Sequence, residues 1–182
     1  MQRSSALRFP STLALATLLW GACSGGEVPP VAIDADTVFG REVLFGELYK
    51  ISSHTKKGTT HAADAADWFF FLYTKPYTGS PGSSWYGNRI GSEPYFSADL
   101  NDPVDTWNLW QTDDGIDNRL RFFDSSSGYF GGYGDPFLQD ITADPDYATQ
   151  PIMWAGLSLG TAWAAGFDGL VDGFTVELYS GE

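Results

Sequence analysis

Short aromatic and β-branched runs, separated by clusters of Gly, Pro, Asn and Asp, constrain the fold of this chain more than any other feature. The breaks between the runs, such as PYTGSPGSS and DLNDPVD, favour turns. No run keeps a helical period across three turns, and only residues 135–140 predict a helical turn, with Asp135 as its N-cap. The runs predict strands at residues 43–51, 68–74, 85–96, 104–111, 119–123, 152–159 and 170–179.

This pattern predicts an all-β fold. Two packed antiparallel sheets are the usual solution for about seven or eight such strands, so we expect a jelly-roll-like antiparallel β-sandwich with at most one or two short helical turns. The run WFFFLY at residues 68–73 is apolar on both sides of an extended chain. It therefore predicts a central strand that is covered on both faces.

The first 22 residues have the organisation of a secretory signal. Arg3 and Arg8 precede an apolar run at residues 13–20, which is too short to anchor permanently in a bilayer. The run ends in LWGAC and resembles a bacterial lipobox, with Trp20 where that motif usually has leucine. The resemblance implies that Cys23 is lipidated and becomes the new N-terminus, the alternative being an ordinary secreted protein cleaved one or two residues later.

The residues after the signal predict a tethered domain. Cys23 is the only cysteine, so an exported chain would carry no disulfide. Residues 23–37 predict a flexible tether, and residues 38–182 a single domain. Ser24, rather than aspartate, follows the cysteine. In a Gram-negative cell the lipoprotein resemblance then implies the outer membrane, with secretion as the alternative.

The charge of the chain excludes several classes of partner. The whole sequence has a formal net charge of −13, and loss of residues 1–22 would remove two basic residues and no acidic one. Nucleic acid and anionic lipid head groups both require a basic surface, so neither is an expected partner. Contact with a membrane is expected only through the N-terminal lipid.

Alternation assigns the tryptophans to opposite sides of their strands. Trp107 shares a side with Leu109 and is predicted to be core, whereas Trp110 and Trp154 share sides with polar residues or glycine. An indole on a polar strand face can stack against the C–H face of a pyranose ring. The alternative is that a loop or a sheet edge covers each ring. The predicted carbohydrate-binding residues are Trp110, Trp85, Tyr86 and Trp154, with polar contacts from Arg89 and Glu93.

Longer segments resemble known β-sandwiches. The closing FDGLVDGFTVEL looks like the final strand of extracellular jelly-roll domains. The segments WYGNRIGSEPYF, VDTWNLWQTDDG and FFDSSSGYFGGYG are similar to secreted bacterial proteins with galactose-binding-like or concanavalin-like sandwiches. The resemblance implies a fold and names no chemistry.

Catalytic strings are missing from the sequence. It has no Glu-x-Asp-x-x-Glu string of the laminarinase type and no Gly-x-Ser-x-Gly. His54 and His61 flank the polar segment TKKGTT, where two solvated loop histidines are expected rather than a metal pair. A glycan hydrolase or lyase that uses Glu93 and an Asp from another strand stays as an alternative to binding. A structural or adhesive envelope protein is the second alternative.

A structural Ca²⁺ site is the one cofactor that the sequence suggests. Extracellular Ca²⁺ takes oxygen ligands from Asp-rich loops, and DDGIDN is the densest such cluster. The alternative is that these residues only form a turn. The candidate ligands are Asp113, Asp117 and Asn118.

Overall fold

Eight strands in two antiparallel sheets make up most of the computed structural model, which describes residues 31–59, 68–76, 86–92, 103–113, 120–124, 136–158 and 169–179. The strands are β1 (Val31–Asp34), β2 (Leu48–Lys57), β3 (Phe69–Thr74), β4 (Arg89–Ser92), β5 (Asn108–Gln111), β6 (Phe123–Asp124), β7 (Ile152–Ser158) and β8 (Gly169–Leu178). One sheet has the order β1-β7-β3-β4-β6 and the other the order β5-β2-β8. The predicted all-β antiparallel sandwich of seven or eight strands is confirmed.

The core lies between the two sheets. Phe70 and Leu72 of β3 are buried in the same apolar cluster as Ile51 of β2 and Val176 of β8. The rings of Phe70 and Phe174, which belong to different sheets, have centroids 5.7 Å apart. Burial of this apolar area is the main favourable term in the folding free energy.

Strand β3 occupies the middle of the five-stranded sheet, as its sequence predicts. Phe70, Phe71 and Leu72 are all buried, although successive side chains of a strand point to opposite faces. Both faces of β3 are therefore covered, and the prediction for residues 68–73 is confirmed.

Short helical segments join the strands. The described residues contain four of them, rather than the one or two expected from the sequence. The expected turn at residues 135–140 begins at Leu138 instead, and Asp135 lies outside the described residues. No helix in the described part of the chain is long and apolar enough to cross a membrane. The segments are α1 (Ala35–Phe39), a 3₁₀ turn (Phe45–Glu47), α2 (Leu138–Ala143) and α3 (Pro145–Ala148).

The domain begins earlier than the sequence suggests. Val31–Asp34 pairs antiparallel with β7, and Asp34 caps α1 by accepting a hydrogen bond of 2.8 Å from the backbone N–H of Thr37. The sequence predicts residues 31–37 as tether, but residues 31–34 pair with β7 and residues 35–37 lie in α1, so all of them belong to the fold. The signal and Cys23 lie outside the described residues.

An ion pair fixes the 3₁₀ turn. Arg41 donates two hydrogen bonds to the carboxylate of Glu47, of 2.8 and 3.1 Å, and the backbone N–H of Leu44 donates a third of 2.7 Å. The hydrogen bonds from Arg41, more than that from Leu44, hold the pKa of Glu47 below its ordinary value.

We expect Glu47→Gln to lower the free energy of unfolding at about pH 7 by less than about 1 kcal/mol, because the pair is partly exposed. The depressed pKa of Glu47 gives the folded state stability above the unfolded pKa of about 4.3, and that stability is lost as pH falls through the folded pKa. Urea unfolding at neutral and acidic pH should therefore show the difference between wild type and variant shrinking in acid. Arg41→Gln should show the same pH dependence. A difference in unfolding free energy between wild type and variant that persists in acid would contradict the ionised Glu47 carboxylate as its source.

Candidate functional site

The two tryptophans of the β5 region have the opposite placement from the one predicted. Trp110 is 1% exposed, and its indole N–H donates a hydrogen bond of 2.7 Å to the hydroxyl of Thr55. Trp107, predicted to be core, is 46% exposed. Trp110 therefore cannot serve as a stacking platform, and the prediction for both rings is wrong.

The reason for the reversal is a polar region inside the sandwich. Trp110 stands opposite Ser53 of β2, and Asn108 stands opposite Thr55. All four of these residues are buried, as is Thr112. The polar neighbours of Trp110 thus point into the sandwich, and alternation alone cannot distinguish a polar interior from a wet surface.

Three predicted binding residues, Tyr86, Arg89 and Trp154, lie on the outer side of the five-stranded sheet. Tyr73 of β3 stands directly opposite both Arg89 of β4 and Trp154 of β7, so the side chains of Tyr73, Arg89 and Trp154 point to the same side of the sheet. The guanidinium carbon of Arg89 lies 5.9 Å from the ring centroid of Tyr73, and the ring of Tyr86 lies 4.8 Å from it. We call this surface the Arg89 face. It comprises Phe71, Tyr73, Tyr86, Arg89, Gly91 and Trp154.

The Arg89 face is packed rather than open. Phe71 is 1% exposed, and its ring centroid lies 5.1 Å from that of Tyr73. Opposite Phe71 stands Gly91, where an added Cβ would come within 3.0 Å of the ring of Phe123. The Phe123 ring thus occupies the space that a side chain at Gly91 would need, and it covers the glycine.

The predicted residues on the Arg89 face have structural contacts. Tyr86, Arg89 and Trp154 are half-buried. The pKa of Asp34 is lowered first by the backbone N–H of Thr37, and to a smaller extent by a hydrogen bond from the Trp154 side chain. The other two predicted residues, Trp85 and Glu93, lie outside the described residues.

The outer side of the three-stranded sheet is more open. The six most exposed large apolar side chains of the described residues come from this sheet or from the residues that adjoin it. An apolar patch of this kind commonly marks an interaction site. These side chains are Tyr49, Trp107, Leu109, Leu170, Val171 and Tyr179, of which Val171 stands opposite the buried Thr55 and so lies on the inner side of the sheet.

The register of the sheet places polar groups beside the exposed rings. His54 of β2 stands opposite Leu109 of β5 and Asp172 of β8. Trp107 precedes Leu109 by two residues, so along an extended backbone it points to the same side. We call this surface the Trp107 face. It comprises His54, Lys56, Trp107, Leu109, Leu170 and Asp172.

An ion pair stands at the Trp107 end of the surface. The ammonium of Lys56 lies 2.6 Å from a carboxylate oxygen of Asp105. The backbone N–H of Asp105 donates a hydrogen bond of 2.7 Å to the carbonyl of Lys57, which fixes the segment to the end of β2. Asp105 has a positive φ of 55°, which aspartate tolerates better than most residues.

His54 lies in a strand, whereas the sequence indicates a loop. Its side chain is exposed on the Trp107 face, and its neighbour on β8 is the bulge at Gly173. Gly173 has a φ of 61°, and an added Cβ would come within 3.2 Å of Nδ1 of His54. A glycine there leaves room for the imidazole. His61 lies outside the described residues.

The predicted Ca²⁺ ligands are only partly visible. Asp113 accepts a hydrogen bond from the ammonium of Lys50, while Asp117 and Asn118 lie outside the described residues. Within the described ranges, no three His, Cys, Asp or Glu side chains converge in a way that could hold a metal ion. The Ca²⁺ site stays a prediction.

Comparison with known proteins does not add a family to this geometry. No family model matches the chain, and neither a curated protein nor a solved structure matches it. The chemistry of the two outer faces is therefore the basis for a functional proposal.

Proposed function

We propose that the protein is an exported β-sandwich module that binds carbohydrate on the Trp107 face. One observation carries the proposal: Trp107 is 46% exposed directly before β5, two residues after Asp105, which forms an ion pair with Lys56. An indole that stays exposed in the folded protein gains apolar contact only when a ligand covers it. Polar groups beside such a ring orient a hydroxyl-rich ligand.

The carboxylates of this face favour binding over hydrolysis. Asp105 is held by Lys56, and Asp172 accepts a hydrogen bond of 2.7 Å from the backbone N–H of Gly173. Glycan hydrolysis uses two carboxyl groups placed on either side of the bond to be cleaved. Since Asp105 is paired with Lys56 and Asp172 accepts a backbone hydrogen bond, we propose a binding role.

Export and anchoring complete the proposal. The charged and apolar segments of residues 1–22 and the single cysteine support a lipid attached to Cys23. A flexible segment would then hold the sandwich away from an outer membrane. The net negative charge supports a partner other than nucleic acid or an anionic membrane surface.

Trp107→Ala is expected to weaken carbohydrate binding about 30-fold, since loss of a central aromatic contact costs roughly 2 kcal/mol. A glycan array with the purified full-length protein identifies a ligand, and titration calorimetry with that ligand measures the affinity. Tyr86→Ala is the matched control, because it removes an aromatic ring from the Arg89 face.

The two variants distinguish the two faces. Binding that is lost in Tyr86→Ala and retained in Trp107→Ala would place the site on the Arg89 face and contradict this proposal. A wild-type protein that binds no glycan would contradict carbohydrate binding itself. Urea unfolding checks that both variants fold.

A further inference from the structure

We infer that the ligand of the Trp107 face is an uncharged polysaccharide chain that lies along β2, an inference that rests on the proposed function. The outer side of the three-stranded sheet, of which the Trp107 face is one part, has aromatic rings at both ends. Trp107 directly precedes β5, whose Asn108 stands opposite Thr55 near the end of β2, and Tyr49 lies near the start of β2. Tyr49 and Thr55 are six positions apart on β2, which corresponds to about 20 Å of strand.

The tyrosine end of the surface holds a preformed pair. Tyr49 and Tyr179 are 39% and 46% exposed, and their ring centroids are 5.1 Å apart in an edge-to-face arrangement. The backbone N–H of Tyr179 donates a hydrogen bond of 2.9 Å to the carbonyl of Glu47, which fixes the end of β8. Two rigid rings present apolar area to a ligand with little loss of side-chain entropy on binding.

Between the rings the surface offers neutral hydrogen-bonding groups. Ser52 of β2 stands opposite Gln111 of β5 and Thr175 of β8. All three side chains are half-buried, and they supply hydroxyl and amide groups that both donate and accept. Such groups suit the hydroxyls of sugar units that bridge the two aromatic ends. A single sugar would reach only one end.

The charges of the surface favour a neutral chain. The described residues of this side carry two lysines and four carboxylates, and each lysine is paired with a carboxylate, Lys50 with Asp113 and Lys56 with Asp105. The remaining carboxylates, those of Asp172 and Glu177, leave the surface negative. A uronate or sulfated polysaccharide would meet repulsion and no unpaired cation among these residues.

Tyr179→Ala tests the extended site. With a neutral polysaccharide of the class that the array identifies, we expect about tenfold weaker binding by the variant. With the disaccharide of the same sugar, we expect no change, because a short ligand occupies only the Trp107 end. Trp107→Ala should weaken both. Tyr179→Phe is the matched control, since it keeps the ring, and its affinity should stay within about twofold of wild type.

The outcomes separate this inference from the function on which it rests. If Tyr179→Ala binds the long chain as wild type does while Trp107→Ala does not, the extended site is wrong and carbohydrate binding stands. Tighter binding to polygalacturonate or alginate than to dextran, xylan or mannan would overturn the inference that the ligand is uncharged. If wild type binds no polysaccharide but forms dimers that Trp107→Ala dissociates, the face joins two copies of the chain and both proposals are wrong.

Discussion

Trp110→Ala is expected to lower the free energy of unfolding by about 3–5 kcal/mol, the cost of removing a large buried aromatic side chain. Trp110 is 1% exposed and lies in the main core cluster. The variant also removes the indole N–H that donates to Thr55. Urea or thermal unfolding of the purified protein measures the change, and a cavity of this size should also lower the melting temperature by several degrees.

Trp107→Ala is the matched control for this prediction. It removes the same side chain from a 46% exposed position, so the free energy of unfolding should change by no more than about 0.5 kcal/mol. The pair thus separates stability from binding, since Trp110→Ala acts on the first and Trp107→Ala on the second. Equal destabilisation by both variants would contradict the burial that the structure assigns to them.

Phe71→Ala is expected to destabilise the protein by about 3–5 kcal/mol, although Phe71 points away from the core between the sheets. The side chain is 1% exposed on the Arg89 face and contacts the rings of Phe69 and Tyr73, with centroids at 6.2 and 5.1 Å. A large cost would show that this face is a second apolar layer. Urea unfolding measures the cost.

Leu170→Ala is the control for Phe71→Ala, because Leu170 is 49% exposed and its loss should cost no more than about 0.5 kcal/mol. A cost below about 1 kcal/mol for Phe71→Ala would mean that the Arg89 face is open to solvent. Tyr86, Arg89 and Trp154 would then again be candidates for a ligand platform.

The strands with strong alternation or continuous apolar runs are predictable from the sequence. The sequence predicts strands at residues 68–74, 152–159 and 170–179, and the structure has Phe69–Thr74, Ile152–Ser158 and Gly169–Leu178. These are local patterns, because side chains alternate along any extended backbone. The fold class follows from them, since such strands bury their apolar sides only by packing two sheets together.

Strand β2 was located poorly because its inward side is polar. The sequence predicts this strand at residues 43–51, whereas it runs over Leu48–Lys57. Ser53, Thr55 and Lys57 are buried in its second half, so the segment reads as a polar loop in the sequence. The Trp107 face includes His54 and Lys56 from this second half of β2. The sequence does not predict that these residues form a strand.

Alternation determined which residues share a side, and only the tertiary structure decided which side is covered. The sequence correctly separates Trp107 from Trp110, because they are an odd number of positions apart along one extended segment. Which of them meets solvent depends on the side against which the second sheet packs, and the residues of that sheet are distant in sequence. Burial is the sum of such long-range contacts. The exposure of the Trp107 face is therefore a property of the packed sheets and cannot be predicted from local alternation.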